Sequence, residues 1–361
     1  MSTKNKIIKC KAAIAWEANK PLSIEEIEVH HKKICYSAIC HSDIYALESN
    51  KTNYPIILGH EAAGIVESVG EGVRDVVAGD YVIPSPLPQC RKCKICLNPN
   101  GNICEEFTFG NIRSEIMDDG KTRFSCKGKQ IFHFVGLSTF SEYAVVREAA
   151  VCKINPKAPL DKVCLIGCGV TTGYGAPFNS CNVTKGSTVG VWGMGAIGLS
   201  IVLGCKAKGA EKIVGIDCNE ERLKNAEKFG ITDSLNPKNL TGDTKTFVDY
   251  IRKKYEGGFD FTFEATGNTK AMVNLRKNLV ILRFVYPTLC APLFSLPFFH
   301  FSSPFSLIFH KASIKKDYEF WEKHKFGCVK PIKSDFVDFG VIRHSSMGST
   351  FFAQTDHFYR N

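Results

Sequence analysis

The 361-residue sequence predicts an α/β protein in which a mostly β amino-terminal part is followed by a doubly wound parallel sheet that stops incomplete. Three observations carry this expectation. At roughly 150 residues per domain the length calls for more than one core. Short Val/Ile-rich segments punctuated by glycine, as in Gly64-Ile65-Val66-Glu67-Ser68-Val69-Gly70, read as strands and turns. Finally, Ser187-Thr188-Val189-Gly190-Val191-Trp192 runs into a glycine turn, then a helix over Ala196 to Lys208, then a second strand over Lys212 to Ile216. The predicted boundaries are 1–169 for the first domain, 170–275 for the partial parallel sheet and 276–361 for an atypical tail.

Composition narrows the class. An apolar share of 44%, a charged share of 23% and 11% aromatics describe a chain able to bury a core, which excludes disordered and collagen-like classes. Sixteen cysteines would allow many disulfides, yet Met1 to Trp16 holds no apolar stretch of signal-peptide length, so a reduced, cytoplasmic protein is expected. No apolar run reaches the roughly 18 residues of a spanning helix, and no membrane partner is expected. The net charge is +10, but residues 276–361 hold 12 Lys and Arg against 6 Asp and Glu, leaving only +4 for the other 275 residues. That distribution gives little support to a nucleic-acid partner.

The tail differs from what precedes it. Its 86 residues contain 14 of the 26 phenylalanines and 3 of the 30 glycines, and 284–309 is mostly Phe, Leu, Ser and Pro. These residue types share pyrimidine-rich codons, so the composition points to translated non-coding sequence. A genuine aromatic-rich domain is the alternative, although no helical or strand period extends over a useful length.

Three constellations carry chemistry. Cys90, Cys93, Cys96 and Cys104 place four thiols within fifteen residues of a loop rich in Pro, Asn, Lys and Gly. Such spacing suits a closed tetrahedral zinc site, in which metal binding offsets the entropy of ordering the loop. Iron–sulfur ligation is a rival, with a spacing unlike that of the ferredoxins. Gly193-x-Gly195-x-x-Gly198 lies at the strand-to-helix turn, and Asp217 ends the next strand 24 residues after Gly193. Glycines there let backbone amides approach a pyrophosphate, while the carboxylate accepts from ribose hydroxyls and repels a 2′-phosphate, which favours NAD over NADP. Arg222 is expected along the adenosine ribose. The third constellation is dispersed: Cys40-His41-Ser42-Asp43, Gly59-His60-Glu61 and Gly167-Cys168-Gly169 offer two thiolates, an imidazole and carboxylates, the donor set of a catalytic zinc with one open position.

At these residues the chain resembles a family. Cys10-Lys11-Ala12-Ala13, the run from Gly59 to Val73, the four-cysteine loop and the run from Lys162 to Gly169 are similar to the zinc-dependent alcohol dehydrogenases of animals, over roughly residues 6–275. The resemblance implies a GroES-like catalytic domain followed by a Rossmann-type NAD domain, and a homodimer provided the tail permits one. It implies one catalytic zinc on Cys40, His60 and Cys168, with Glu61 close by and Asp43 orienting His60, and one structural zinc on Cys90, Cys93, Cys96 and Cys104. Ser42 corresponds to the hydroxyl that takes the substrate proton, and His41 and Thr172 to positions near the cofactor.

The implied activity is NAD-dependent oxidation of a primary alcohol, retinol-like in size, to an aldehyde, with S-(hydroxymethyl)glutathione as the alternative substrate. Cys40-His41-Ser42-Asp43 with Tyr45 leans toward the glutathione-dependent branch, whereas Thr108 stands where that branch has an arginine. Two departures matter. The stretch between Val29 and Cys40 is short, and His30-His31-Lys32-Lys33 replaces part of a strand beside the first zinc ligand. The tail lacks recognisable segments to complete the cofactor sheet. A zinc-binding but inactive variant is therefore the competing reading, with a zinc-ribbon nucleic-acid binder a third. Cys126, Cys164, Cys181, Cys205 and Cys218 are expected to be buried or half-buried packing residues.

Overall fold

In the first strand every second side chain from Ile8 is apolar, and the structure, a computed structural model, buries Cys10, Ala12 and Ile14 of that set. It describes residues 7–29, 33–98, 101, 103–108, 115–117, 119–239, 247–268, 271, 285–287 and 341–343. Two compact units divide the chain between Cys168 and Gly169.

The first unit contains β1 (Ile8–Ala15), β2 (Ser23–Val29), β3 (Lys33–Ala38), α1 (His41–Glu48), β4 (Ile56–Ile57), β5 (Glu61–Ile65), β6 (Tyr81–Pro84), α2 (Lys94–Leu97), α3 (Glu105–Thr108), β7 (Phe124–Cys126), β8 (Lys129–His133), β9 (Val151–Lys153) and α4 (Leu160–Val163). Strands β1, β2, β7, β8 and β4 close into a barrel. In β2, Ile27 and Val29 turn inward while Glu26 and Glu28 stay in solvent, the period of two that a half-buried strand requires. The barrel core joins Ile14, Ile27, Ile57, Phe124, Ile131 and Leu137. Closure leaves no unpaired strand edge in this sheet.

The second unit opens with α5 (Gly169–Gly175) and continues through β10 (Thr188–Trp192), α6 (Ala196–Ala207), β11 (Lys212–Ile216), α7 (Glu220–Ala226), β12 (Asp233–Leu235), α8 (Phe247–Lys254), β13 (Phe261–Glu264) and β14 (Val285–Pro287). All pairings are parallel, in the order β12-β11-β10-β13-β14. The chain leaves β10 toward one edge and returns to its other side as β13, so the order reverses beside the end of β10, where such sheets bind ligands. β10 is buried from Val189 to Trp192, as expected of a central parallel strand covered on both faces.

Two expectations from sequence change here. The short stretch before Cys40 does not abolish its strand: β3 pairs antiparallel with β5 from Lys33 to Ala38, with a bulge between Ile34 and Tyr36 that absorbs the irregularity. His30, His31 and Lys32 lie outside the described residues. The parallel sheet does not stop at β13, because Val285-Tyr286-Pro287 adds a fifth strand, Phe263 pairing with Tyr286. Three residues are too few for periodicity to reveal. The remaining strand, β15 (Val341–Arg343), belongs to the first unit and pairs antiparallel with β3, giving the order β15-β3-β5-β6-β9. The rest of 276–361, on which the translated non-coding reading falls, lies outside the described residues.

Candidate functional site

The first donor cluster is built at both ends of a short connection. Cys40 caps α1, and Asp43 in its first turn accepts the Cys40 backbone N–H through Oδ2 at 2.9 Å. The other carboxylate oxygen, Oδ1, accepts the Gly59 N–H at 2.9 Å and lies 3.1 Å from His60 Nδ1. Asp43 is 2% exposed, so these three donors replace the water it has lost. One buried carboxylate thus orients the Cys40 backbone and the His60 ring, leaving Nε2 of His60 as the ring atom available to a metal. Phe134 packs edge-on against the imidazole, the centroids 5.6 Å apart.

Glycine precedes two of the donors for steric reasons. At Gly59, with φ +93°, a β carbon would fall 2.4 Å from Phe140 Cδ1 and 2.7 Å from Phe140 N. At Gly167 it would fall 2.7 Å from the Pro84 carbonyl oxygen. The turn Cys164–Gly167 packs Cys164 with Ala63 and Ile83, which brings Cys168 against β5, the strand that begins at Glu61 directly after His60. Cys40, His60, Glu61 and Cys168 each direct a ligand atom into one cluster, all within 4.8 Å of one another. Burial disfavours the imidazolium of His60, yet the Asp43 carboxylate and Cys40 beside it lift its pKa well above the ordinary histidine value. A site that draws positive charge this strongly, with two sulfurs, one nitrogen and a carboxylate, fits zinc. Ser42 Oγ lies 3.7 Å from Cys40 Sγ.

The second cluster is Cys90, Cys93, Cys96 and Cys104, again within 4.8 Å of one another. Sγ–Sγ distances are 3.9 Å for Cys90 and Cys96 and 4.0 Å for Cys93 and Cys104. Backbone N–H groups of Cys93 and Cys96 donate to the sulfurs of Cys90 and Cys93 at 3.2 and 3.4 Å. The Cys96 N–H holds the Cys93 thiol down to about 6, whereas burial pushes Cys96 up to about 12. Four sulfurs this close cannot all be anionic unless a cation lies among them, which is the chemistry of a closed four-thiolate site.

In the second unit the glycine turn connects β10 to α6. Gly193 has φ +93°, and a β carbon there would fall 2.9 Å from the Ala265 backbone; one at Gly198 would overlap the Gly193 carbonyl. At Gly195 a β carbon would meet nothing within 4 Å, so this glycine leaves open space at the first turn of α6. That space is where a pyrophosphate approaches backbone amides in such turns. Asp217 directly follows β11, and its Oδ2 accepts the Met194 N–H at 2.8 Å, tying the turn to the neighbouring strand. Arg222 Nη1 lies 4.0 Å from the same oxygen. His41 sits in the first turn of α1 and Thr172 on α5, in different units.

The steric need for Gly59 and Gly167, and the Met194 amide bound to Asp217, were not evident from sequence. A glycine immediately before each of two donors was the signal available. Cys126, Cys164, Cys181 and Cys205 are buried as expected, but Cys218 is exposed, because it follows Asp217 past the end of β11. Among the described residues no helix is long and apolar enough to cross a membrane.

Fold and donor sets together define a dehydrogenase of the zinc-binding type, and comparison with known proteins places it. The family profile described as "Alcohol dehydrogenase GroES-like domain" matches residues 31–156, and that described as "Zinc-binding dehydrogenase" matches 196–279. "Alcohol dehydrogenase class-3" of Caenorhabditis elegans is 50% identical over 281 residues, covering 75% of this chain and 73% of the relative. The Drosophila melanogaster protein of the same name is 49% identical with the same coverage. Among solved structures, benzyl alcohol dehydrogenase from Acinetobacter calcoaceticus is 30% identical with a TM-score of 0.68, covering 77% of this chain and 76% of that one. An alcohol dehydrogenase zinc-binding domain protein from Burkholderia ambifaria is 31% identical, also at 0.68, with 76% and 75% covered. The chain belongs to the zinc-dependent alcohol dehydrogenases of the medium-chain dehydrogenase/reductase type, a family of enzymes.

Proposed function

We propose that this chain oxidises primary alcohols to aldehydes with NAD, using one zinc held by Cys40, His60 and Cys168 with Glu61 beside them and a second held by Cys90, Cys93, Cys96 and Cys104. The observation that carries the reading is the convergence of two sulfurs, an imidazole and a carboxylate from 40, 60, 61 and 168 within 4.8 Å. Zinc in that site supplies Lewis acidity that lowers the pKa of an alcohol, and oxidised nicotinamide supplies the hydride acceptor. Asp43 holds the His60 tautomer and the Cys40 backbone through its three hydrogen bonds. Ser42, one turn position from Asp43, receives the alcohol proton. Asp217 accepts from the adenosine ribose and disfavours a 2′-phosphate, with Gly193, Gly195 and Gly198 admitting the pyrophosphate. His41 and Thr172 are the further cofactor positions that the family resemblance implies, and Arg222 is the residue assigned to the ribose.

The class-3 name of both relatives, together with Cys40-His41-Ser42-Asp43 and Tyr45, makes S-(hydroxymethyl)glutathione the first substrate to assay, ahead of retinol-like alcohols. The test is NADH absorbance from purified full chain given NAD with each substrate. Zinc bound at two sites per chain but no NADH from any alcohol would establish the second reading, a zinc-binding protein without turnover. That reading is favoured by the match to the family ending at residue 279.

A further inference from the structure

We propose that Tyr54 is a positioning residue for the Cys40–His60–Cys168 centre: its hydroxyl clamps the far end of α1 to the segment that delivers His60. This rests on the reading of that centre as a metal site. Helix α1 has eight residues, about 12 Å in length, and carries Cys40, Ser42 and Asp43 at its amino-terminal end. At the other end its last carbonyls need donors. The Ser49 N–H and the Tyr54 hydroxyl both donate to the Ala46 oxygen, at 3.2 and 2.7 Å, and the Asn19 N–H takes the Leu47 oxygen at 2.8 Å.

Tyr54 differs from the other two donors in where its backbone leads. Pro55, Ile56, Ile57, Leu58 and Gly59 follow it directly to His60. The same segment is fixed to the barrel: the Asn53 N–H donates to Glu115 Oε2 at 2.9 Å, the Phe132 N–H donates to the Pro55 oxygen at 2.8 Å, and Ile56–Ile57 pairs with Phe132–His133. Helix α1 is therefore joined to residues 53–60 at two points, by Asp43 near the donors and by Tyr54 at the opposite end. Asn19 and the buried side chains of Ala46 and Leu47 also hold that end of the helix, but Tyr54 is the hydrogen-bond donor that ties it to the His60 segment, so loss of the hydroxyl lets α1 shift slightly against that segment and carries Cys40 and Ser42 with it. Metal–ligand distances tolerate only about 0.2 Å, so a small shift is enough to matter. Burial, and the Glu115 carboxylate nearby, push the Tyr54 phenol up to about 12, so it remains a donor over the working pH range.

The experiment uses full-length protein loaded with Co²⁺, whose ligand-field bands distinguish a site of two sulfurs and one nitrogen from one of four sulfurs. Tyr54→Phe keeps the ring and removes only the hydroxyl. The expected result is a shift of the mixed-ligand bands and about tenfold faster release of that ion to a chelator, the scale of a lost outer contact. The four-sulfur bands and release rate should not change, which also reports that the unit is folded. Unchanged bands and release at both sites would overturn the proposal. Equal acceleration at both sites would overturn it as well, by reducing Tyr54 to a general stability contact. Wild-type protein that binds Co²⁺ only with four-sulfur bands would overturn the metal reading beneath it. Should Tyr54→Phe not fold, Glu115→Gln, which keeps an acceptor for Asn53, is expected to leave both spectra unchanged, and Glu115→Ala to shift only the mixed-ligand one; no shift in Glu115→Ala would overturn the clamp.

Discussion

Replacing Asp43 by asparagine tests the core of the site most directly. The carboxylate takes three hydrogen bonds, from Cys40 N, Gly59 N and His60 Nδ1, at 2.9, 2.9 and 3.1 Å. Asparagine offers one acceptor oxygen. If that oxygen stays toward Gly59 and His60, the side-chain NH₂ faces the Cys40 N–H, so one bond is lost and two donors oppose each other. The bonds to Gly59 and His60 survive without the charge. At about 1.5–3 kcal/mol for a hydrogen bond to a charged group, one lost and two weakened amount to roughly 2–4 kcal/mol. For a domain of this size that is roughly 4–16 °C in Tm. Zinc affinity at the mixed-ligand site should fall about 10–100-fold, since the imidazole loses its orienting anion. Thermal unfolding and competitive zinc titration with a chromophoric chelator read both quantities. Unchanged zinc affinity in a folded Asp43→Asn protein would refute the assignment of the carboxylate as the organiser of the centre.

Other expectations can be checked independently. Burial pushes the Glu115 carboxyl from 4.5 up to about 7, against the hydrogen bond it accepts from Asn53. The folded state then holds a proton that the unfolded chain has released, so the contribution of Glu115 to stability is complete below pH 4.5 and is lost as pH rises through 7, by at most about 3 kcal/mol. Glu115→Gln should remove that slope relative to wild type and be the more stable protein at pH 8; equal slopes in chemical denaturation would contradict this. His133 acts in the opposite sense, burial and Arg123 pushing it down to about 3, so its contribution is lost as pH falls from 6.5 toward 3 and cancels in the comparison. Gly195→Ala should fold normally, because its β carbon meets no protein atom within 4 Å, yet weaken NAD binding about 10–100-fold by obstructing the amides that would receive a pyrophosphate; calorimetry showing wild-type affinity would exclude that role. Cys104→Ser replaces a fully buried sulfur of the four-thiol loop and should reduce bound zinc by one ion per chain, a loss that elemental analysis would detect or deny.

Local chemistry made much of this protein legible in one dimension. The strand, glycine turn and helix around Gly193 need only neighbours in sequence, and the helix runs from Ala196 to Ala207 against an expected end at Lys208. The four-cysteine loop is likewise local, its donors within fifteen residues, so spacing alone implies a common centre. The second donor set was legible as a list of donor types, but only the resemblance joined Cys40, His60 and Cys168 into one centre, since they are far apart in the chain and any one of them alone reads more readily as packing.

What the sequence by itself determined was therefore the family, the two kinds of fold and the list of candidate donors. Only the tertiary structure decided how the donors meet. It placed one buried carboxylate between Cys40 and His60, required glycine at 59 and 167 because other backbone already fills that space, and set a tyrosine hydroxyl on the end of α1. It also drew three residues of the tail into each unit, as β14 and β15, where composition gave no sign of a strand. The physical reason is the same in each case: hydrogen-bond partners and steric limits between remote segments exist only once the strands have paired, and no period along the chain encodes them.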